Sequence, residues 1–206
     1  MNASPPRPTL FLIAGPNGAG KTTFYETVLK PRIQADFINA DVIQRDELKD
    51  PAPEASYEAG RVAAERRQAS IDAKRSFVTE TVFSHPSKQE LLETAREAGF
   101  RIAVFHLHIG SADLAVERVR SRTAQGGHDV PEQKIRERYV RNQLFIRHAI
   151  LYADRGAVYD ASGLNTGPRQ LMTLRTGIPD SVTDILPDWF VALYGDLIGS
   201  VDAIDD

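Results

Sequence analysis

Gly15-Pro16-Asn17-Gly18-Ala19-Gly20-Lys21-Thr22 fits the pattern G-x-x-x-x-G-K-[ST] at every fixed position. The pattern carries meaning only between a strand and a helix, and both flanks comply. Thr9 to Ala14 is a short apolar run suited to a strand buried on both faces of a parallel sheet, and Thr22 to Lys30 reads as a helix. In that setting glycines let backbone N–H groups turn toward a phosphate, and the helix N-terminus adds partial positive charge. Gly15, Pro16, Asn17, Gly18, Ala19, Gly20, Lys21, Thr22 and Thr23 are therefore the candidate nucleotide-binding residues. Lys21 is placed to neutralise the β and γ phosphates, and the Thr22 hydroxyl is the candidate ligand of Mg²⁺.

Working outward, each further strand delivers a polar residue to its C-terminal end, where ligands sit in open α/β sheets. Asp36-Phe37-Ile38-Asn39 leads to Asp41, and Ser76-Phe77-Val78-Thr79 leads to Glu80 and Thr81. Between them, Glu54 to Lys74 reads as a long amphipathic helix with Tyr57, Val62, Ala69 and Ile71 on its buried face. Ser87 to Ala98 is a further helix, Arg101 to Ile109 a fourth strand, and Asp113 to Arg122 and Pro131 to Asp154 two more helices. A last strand, Ala157 to Asp160, ends in the turn Ala161-Ser162-Gly163. The alternation predicts an α/β chain with the P-loop NTPase fold: a central parallel sheet of about five strands flanked by helices, with right-handed crossovers. Residues 1–8, with three prolines, read as a flexible N-terminal tail, and residues 9–163 as the P-loop domain. Residues 164–206 form a C-terminal extension whose amphipathic helix, Pro187 to Ile198, packs on the same domain.

Composition limits the function classes. At 206 residues, 42% hydrophobic and 26% charged, the chain can bury a sizeable core as one domain. A net charge of −3 argues against coating nucleic acid, and no aromatic interleaving for stacking bases is evident. The charge is uneven: Arg118 to Arg147 holds eight Lys or Arg against three Asp or Glu, which suits an anionic substrate. Without cysteine there is no disulfide framework or thiolate nucleophile, and a reducing cytoplasm fits. Met1 to Pro8 lacks the pattern of a signal peptide and no apolar run approaches a membrane span, so no membrane partner is expected.

A P-loop alone does not separate a motor, a switch and a small-molecule kinase; the other rim residues do. The Asn-Lys-x-Asp element of a GTPase is absent, and Phe77-Val78-Thr79-Glu80 is a poor version of the acidic strand of a motor ATPase. Carboxylates after two strands, with an Arg-rich helix-loop-helix following, suit phosphoryl transfer to a hydroxyl. For Asp41 the competing reading is a turn or cap residue, and for Arg118, Arg120 and Arg122 a solvated basic face. His106 and His108 fall on one face of their strand, as a metal pair or as hydrogen-bonded packing residues.

Together with the P-loop, Ile38-Asn39-Ala40-Asp41, Thr79-Glu80-Thr81, Glu117-Arg118-Val119 and Gly126-Gly127-His128-Asp129-Val130-Pro131 resemble the zeta-toxin family of P-loop kinases, over about Pro8 to Gly163. The resemblance implies an adenylate- or shikimate-kinase-like sheet, ATP or GTP as donor with Mg²⁺, and transfer to a sugar hydroxyl of a nucleotide sugar, typically UDP-N-acetylglucosamine. It implies Asp41 as general base, Glu80 with Thr81 as substrate-binding residues, and Arg118 as a clamp on the donor phosphates. A second phosphate contact falls to His128, Arg122, Arg136 or Arg138. The family's usual Asn-Ser-Gly after the last strand reads Ala161-Ser162-Gly163 here. A small helical antitoxin covering the nucleotide site is the partner the resemblance implies. The rival readings are a kinase of another metabolite (an aminosugar, an antibiotic or a dinucleotide) and a nucleotide-binding regulatory module with little turnover.

Overall fold

The computed structural model describes residues 7–50, 52–84, 87–124, 130–163 and 166–199, apart from the side chains of Pro53 and Ser87. In chain order, β1 (Thr9–Ala14) is followed by α1 (Lys21–Phe24), which runs on as a π-helical stretch, Tyr25–Leu29. Then come β2 (Asp36–Ile38) and α2 (Ala40–Val42), the latter continued by a π-helical stretch, Ile43–Leu48. The middle of the chain forms α3 (Pro53–Asp72), β3 (Phe77–Thr81), α4 (Ser87–Glu97) and β4 (Arg101–His108). Next are α5 (Ala112–Ala124), α6 (Glu132–Tyr152) and β5 (Arg155–Asp160). The chain closes with β6 (Arg169–Arg175), β7 (Ile178–Val182) and α7 (Asp188–Ile198).

Among the described residues, the seven strands lie in one sheet, in the order β2-β3-β1-β4-β5-β6-β7. β1 to β5 are mutually parallel, as the alternation of apolar runs and helices predicts, and β1 sits between β3 and β4. The last two strands run antiparallel and extend the sheet beyond β5, a hairpin the sequence reading does not contain. Its turn is Thr176-Gly177, with φ of 49° and 78° at the two positions. Consecutive positive φ values match the right-handed twist of the flanking strands, and glycine takes the second without a Cβ penalty.

The sheet has a cluster of buried side chains on each face. One holds Leu10, Leu12, Phe77, Phe100, Ile102, Val158 and Met172 with residues of α3, α4, α7 and the second half of α6. The other holds Ile13, Phe24, Val78, Leu107 and Ile109 with residues of α5 and Ile135 of α6. The apolar runs of β1 and β4 therefore bury both their faces, which is why they read as continuous rather than alternating.

Two local expectations are corrected. The chain is anchored from Arg7 rather than from Thr9: the Arg7 guanidinium donates to Gly99 O at 2.7 Å, and Arg101 N donates to Pro8 O at 2.8 Å. On α3, Tyr57 is 82% exposed and Ala69 is exposed as well. The buried face is Ala55, Ala59, Ala63, Ser70 and Ile71, a row of small residues that brings the helix close to its neighbours.

Candidate active site

The P-loop leaves β1 with Gly15, whose N–H donates to Thr81 O of β3 at 3.3 Å. A Cβ at Gly15 would lie 2.1 Å from the Leu107 carbonyl oxygen of β4, so only glycine lets the loop rise between its neighbouring strands. Gly18 and Gly20 have φ of 77° and 75°, and Gly20 caps the N-terminus of α1. Lys21 is buried and its Nζ donates to Gly15 O and Pro16 O, both at 3.1 Å, so the ammonium is held folded back over the loop.

The ends of β2 and β3 meet this loop. The Thr22 hydroxyl donates to Glu80 Oε2 at 3.0 Å, and the Asn39 side chain caps α2 by accepting from Asp41 N at 2.8 Å. Asp41, Glu80 and Thr81 line one cavity with Asn17, Lys21 and Thr22, a space of about 450 Å³. Burial pushes the Lys21 ammonium below the usual lysine range, against the pull of the Glu80 and Asp41 charges. Burial likewise pushes the Glu80 carboxyl upward, against the charge of Lys21 and the Thr22 hydrogen bond.

The arginines divide. Arg118 lines the cavity, but its guanidinium donates to Ala161 O at 2.6 Å, Ser162 O at 2.9 Å and Gly163 O at 2.8 Å, and reaches Gly18 O at 3.5 Å. It thus ties the turn after β5 to the P-loop. Arg122 and Arg138 also line the cavity. Arg136 is bound instead to Asp113 and Glu132, and His128 lies outside the described residues.

Two supports escape sequence reasoning. Phe83, fully buried, takes a left-handed φ of 57°, and its N–H donates to Thr81 Oγ1 at 2.9 Å. Buried Asn142 of α6 donates to Val82 O at 2.6 Å. Together they hold the chain after β3 in a sharp bend that leaves Thr81 and Val82 on the cavity wall. A left-handed bulky residue has no sequence signal, because its cost is offset by packing that only the fold supplies.

The donor set fits a nucleotide with Mg²⁺. Among the described residues, Asn17 Oδ1 is buried without a hydrogen-bond partner and Asn17 lines the cavity, where a ligand would reach it. The hydroxyl of Thr22 beside the Glu80 carboxylate offers hard oxygen donors of the kind Mg²⁺ takes alongside phosphates. Among the described residues no group of three His, Cys, Asp or Glu could by itself hold a metal.

His106 and His108, also buried, make a different arrangement under α7. His106 Nδ1 and Tyr194 Oη share a hydrogen bond of 2.8 Å, and the His108 ring lies 4.1 Å from that of Trp189. Tyr139 donates its hydroxyl proton to Ile109 O at 2.7 Å, so at 3.1 Å it accepts from His108 Nε2, which fixes the tautomer of that ring. Burial holds both imidazoles below the usual range, His108 at about 4. They are neutral packing residues of the α7 interface.

Against known proteins, the pattern of the zeta toxin family matches residues 1–155. The chain belongs to the zeta toxin family. An uncharacterized protein of Haemophilus influenzae is 28% identical over 128 residues, 61% of this chain and 88% of that protein. Among solved structures, the zeta toxin fold recurs in the PezAT chromosomal toxin-antitoxin system of Streptococcus pneumoniae, with a TM-score of 0.57 and 15% identity over 96% of this chain and 81% of that one. A chain of the AvrRxo1-ORF1:-ORF2 complex with ATP aligns with a TM-score of 0.65 and 15% identity, covering 93% of this chain. This chain spans 63% of the length of that one. Such likenesses establish the P-loop kinase fold. Among the described residues, no helix is long and apolar enough to cross a membrane.

Proposed function

We propose that the chain is an ATP-dependent (or GTP-dependent) phosphotransferase acting on the hydroxyl of a small molecule, with UDP-N-acetylglucosamine the first acceptor to test. The observation that carries this reading is the meeting of Thr22 with Glu80, and of Asp41 with both, around one cavity above the P-loop. The P-loop backbone and Lys21 hold the β and γ phosphates, and Arg122 and Arg138 face them from the α5 and α6 side. The Thr22 hydroxyl would hold Mg²⁺, which would supply neutralisation of charge on the transferring group. Asp41 takes the proton of the acceptor hydroxyl as its oxygen bonds to the γ phosphorus. The bond from that phosphorus to the bridging oxygen breaks, and the nucleoside diphosphate leaves. Glu80 and Thr81 orient the acceptor, while Arg118 keeps the P-loop and the turn after β5 together. The cytoplasm, where the nucleotide is plentiful, is the compartment this reading implies.

The test is transfer from γ-labelled ATP with Mg²⁺ to a panel of UDP-sugars, aminosugars and dinucleotides. Label on UDP-N-acetylglucosamine that vanishes in both Lys21→Ala and Asp41→Asn supports the reading. Label on another acceptor moves the substrate and keeps the mechanism. Bound ATP with no label on any acceptor, and no response of binding to Asp41→Asn, favours a nucleotide-binding regulatory module. The likeness to PezAT supports one addition, a small helical antitoxin as partner, tested by co-purification with the product of any small neighbouring reading frame.

A further inference from the structure

Hydrogen bonds run in series across the site, and one side chain closes the series. The Gly15 N–H of the P-loop donates to Thr81 O at 3.3 Å, and the Thr81 hydroxyl accepts from Phe83 N at 2.9 Å. Between those two residues, Val82 O accepts from Asn142 Nδ2 at 2.6 Å. Asn142 stands on α6 one turn beyond Arg138, on the same side of the helix by its i, i+4 spacing. Arg138, Thr81 and Val82 all line the cavity. The loop that holds the donor, the strand end that faces the acceptor and the helix that carries an arginine are therefore joined through a single amide.

Packing alone does not call for asparagine at this place. Asn142 is 2% exposed, and its other side-chain contact among the described residues is a 3.4 Å approach of Arg141 Nε to its Oδ1. An amide is costly to bury, and a leucine of similar volume fills such a space without that cost. The bend that Asn142 holds is also one the chain resists, since Phe83 follows with φ of 57°, a region that bulky side chains avoid. Val82 borders the open cavity, where water can satisfy a carbonyl as well as an amide does. What water does not supply is a fixed distance from α6. We propose that Asn142 is a positioning residue for phosphoryl transfer: it touches neither substrate, and it fixes Thr81 and Val82 on the acceptor side at a set spacing from Arg138 on the donor side. The role rests on the phosphotransferase reading above.

Asn142→Leu keeps the volume and removes the donor. The measurement is transfer from γ-labelled ATP to UDP-N-acetylglucosamine, or to whichever member of the panel above the wild type labels, expressed per ATP-binding site counted by titration. In Asn142→Leu, kcat per site is expected to fall about 10- to 100-fold, the scale of a misplacement of about 1 Å between reacting groups, with the Kd of ATP unchanged. A purely structural role lowers the number of ATP-binding sites and leaves kcat per site as it was; that result overturns the proposal. A double-mutant cycle with Thr81→Val gives a second reading. If Asn142 acts through the bend that ends at Thr81, the two losses in kcat fall short of multiplying, and losses that multiply in full overturn the role. Where leucine prevents folding, Asn142→Ser, smaller and still polar, is judged by the same two readings. Absence of transfer by the wild type to any acceptor refutes the phosphotransferase reading and this role with it. Transfer by the wild type with kcat per site unchanged in the variant refutes the role alone.

Discussion

The β1–β3 rim and the β4 face under α7 both bury titratable side chains, but one opens onto a cavity and the other is sealed. At the rim, Lys21 and Glu80 sit within each other's field and Thr22 bridges to the carboxylate. Under α7, His106 and His108 are at least as buried, yet each is neutral, hydrogen-bonded to a tyrosine and stacked among aromatic rings. Burial alone therefore does not mark chemistry. Charge kept in a dry place next to open space does, because the protein tolerates that cost only where a ligand offsets it.

The contrast can be broken by substitution. Lys21→Ala should have the largest effect, lowering transfer about 100- to 1,000-fold, as for loss of a preorganised group facing developing charge, and single-turnover kinetics reads it. Glu80→Gln should cost less, about tenfold to 100-fold in kcat/KM. It should also move the acid limb of the pH–rate profile to lower pH, because the raised Glu80 carboxyl no longer contributes to it. A limb that stays where the wild type has it breaks the assignment. His106→Leu should leave kcat unchanged where the variant is folded, and lower stability by about 1–3 kcal/mol by orphaning the Tyr194 hydroxyl, as denaturant titration will show.

The two regions should also respond to pH with opposite sign. His108 titrates at about 4 in the folded chain against 6.5 unfolded, so the unfolded chain takes the proton first. Its contribution is complete above pH 6.5 and drains at up to about 1.4 kcal/mol per unit as pH falls toward 4; His108→Leu flattens that slope. The raised Glu80 carboxyl runs the other way: its share of stability is present at acid pH and is lost as pH rises through its folded value. The smallest expected effect is Gly60→Ala, a gain of at most about 1 kcal/mol, since the added methyl meets nothing and the helix loses a glycine.

The parallel half of the molecule was legible because each of its strands is an apolar run ending in a polar residue, and the P-loop fixes where the sheet begins. Lys21, Thr22, Asp41 and Glu80 follow from that grammar, and the structure brings all four to one cavity. The hairpin was not legible: Arg169–Arg175 mixes charge with apolar residues, and Ile178–Val182 contains Pro179, Asp180 and Ser181. Neither segment has the pattern of a strand until β5 supplies an edge to pair with. Arg67 and Lys88, which also line the cavity, escape sequence reasoning for another reason. A cation on a helix reads as a solvated face, and only tertiary placement tells one with a carboxylate from one without. The resemblance implies Arg118 as a phosphate clamp, yet its contacts are with backbone carbonyls of two loops. That geometry depends on the turn at Ala161 to Gly163, which the sequence places but does not aim.

The hairpin also governs how the molecule meets its own copies. An open sheet has two rims of unpaired N–H and C=O groups, each a template for another strand. Here one rim is β2, only three residues long, and the other is β7, broken by Pro179, charged at Asp180 and shifted in register against β6. Without the hairpin the rim would be β5, six residues of largely buried strand with a regular parallel ladder behind it. The last strands thus hide a surface that would otherwise invite fibril-like growth, so trimming the chain after Gly163 should raise its tendency to aggregate.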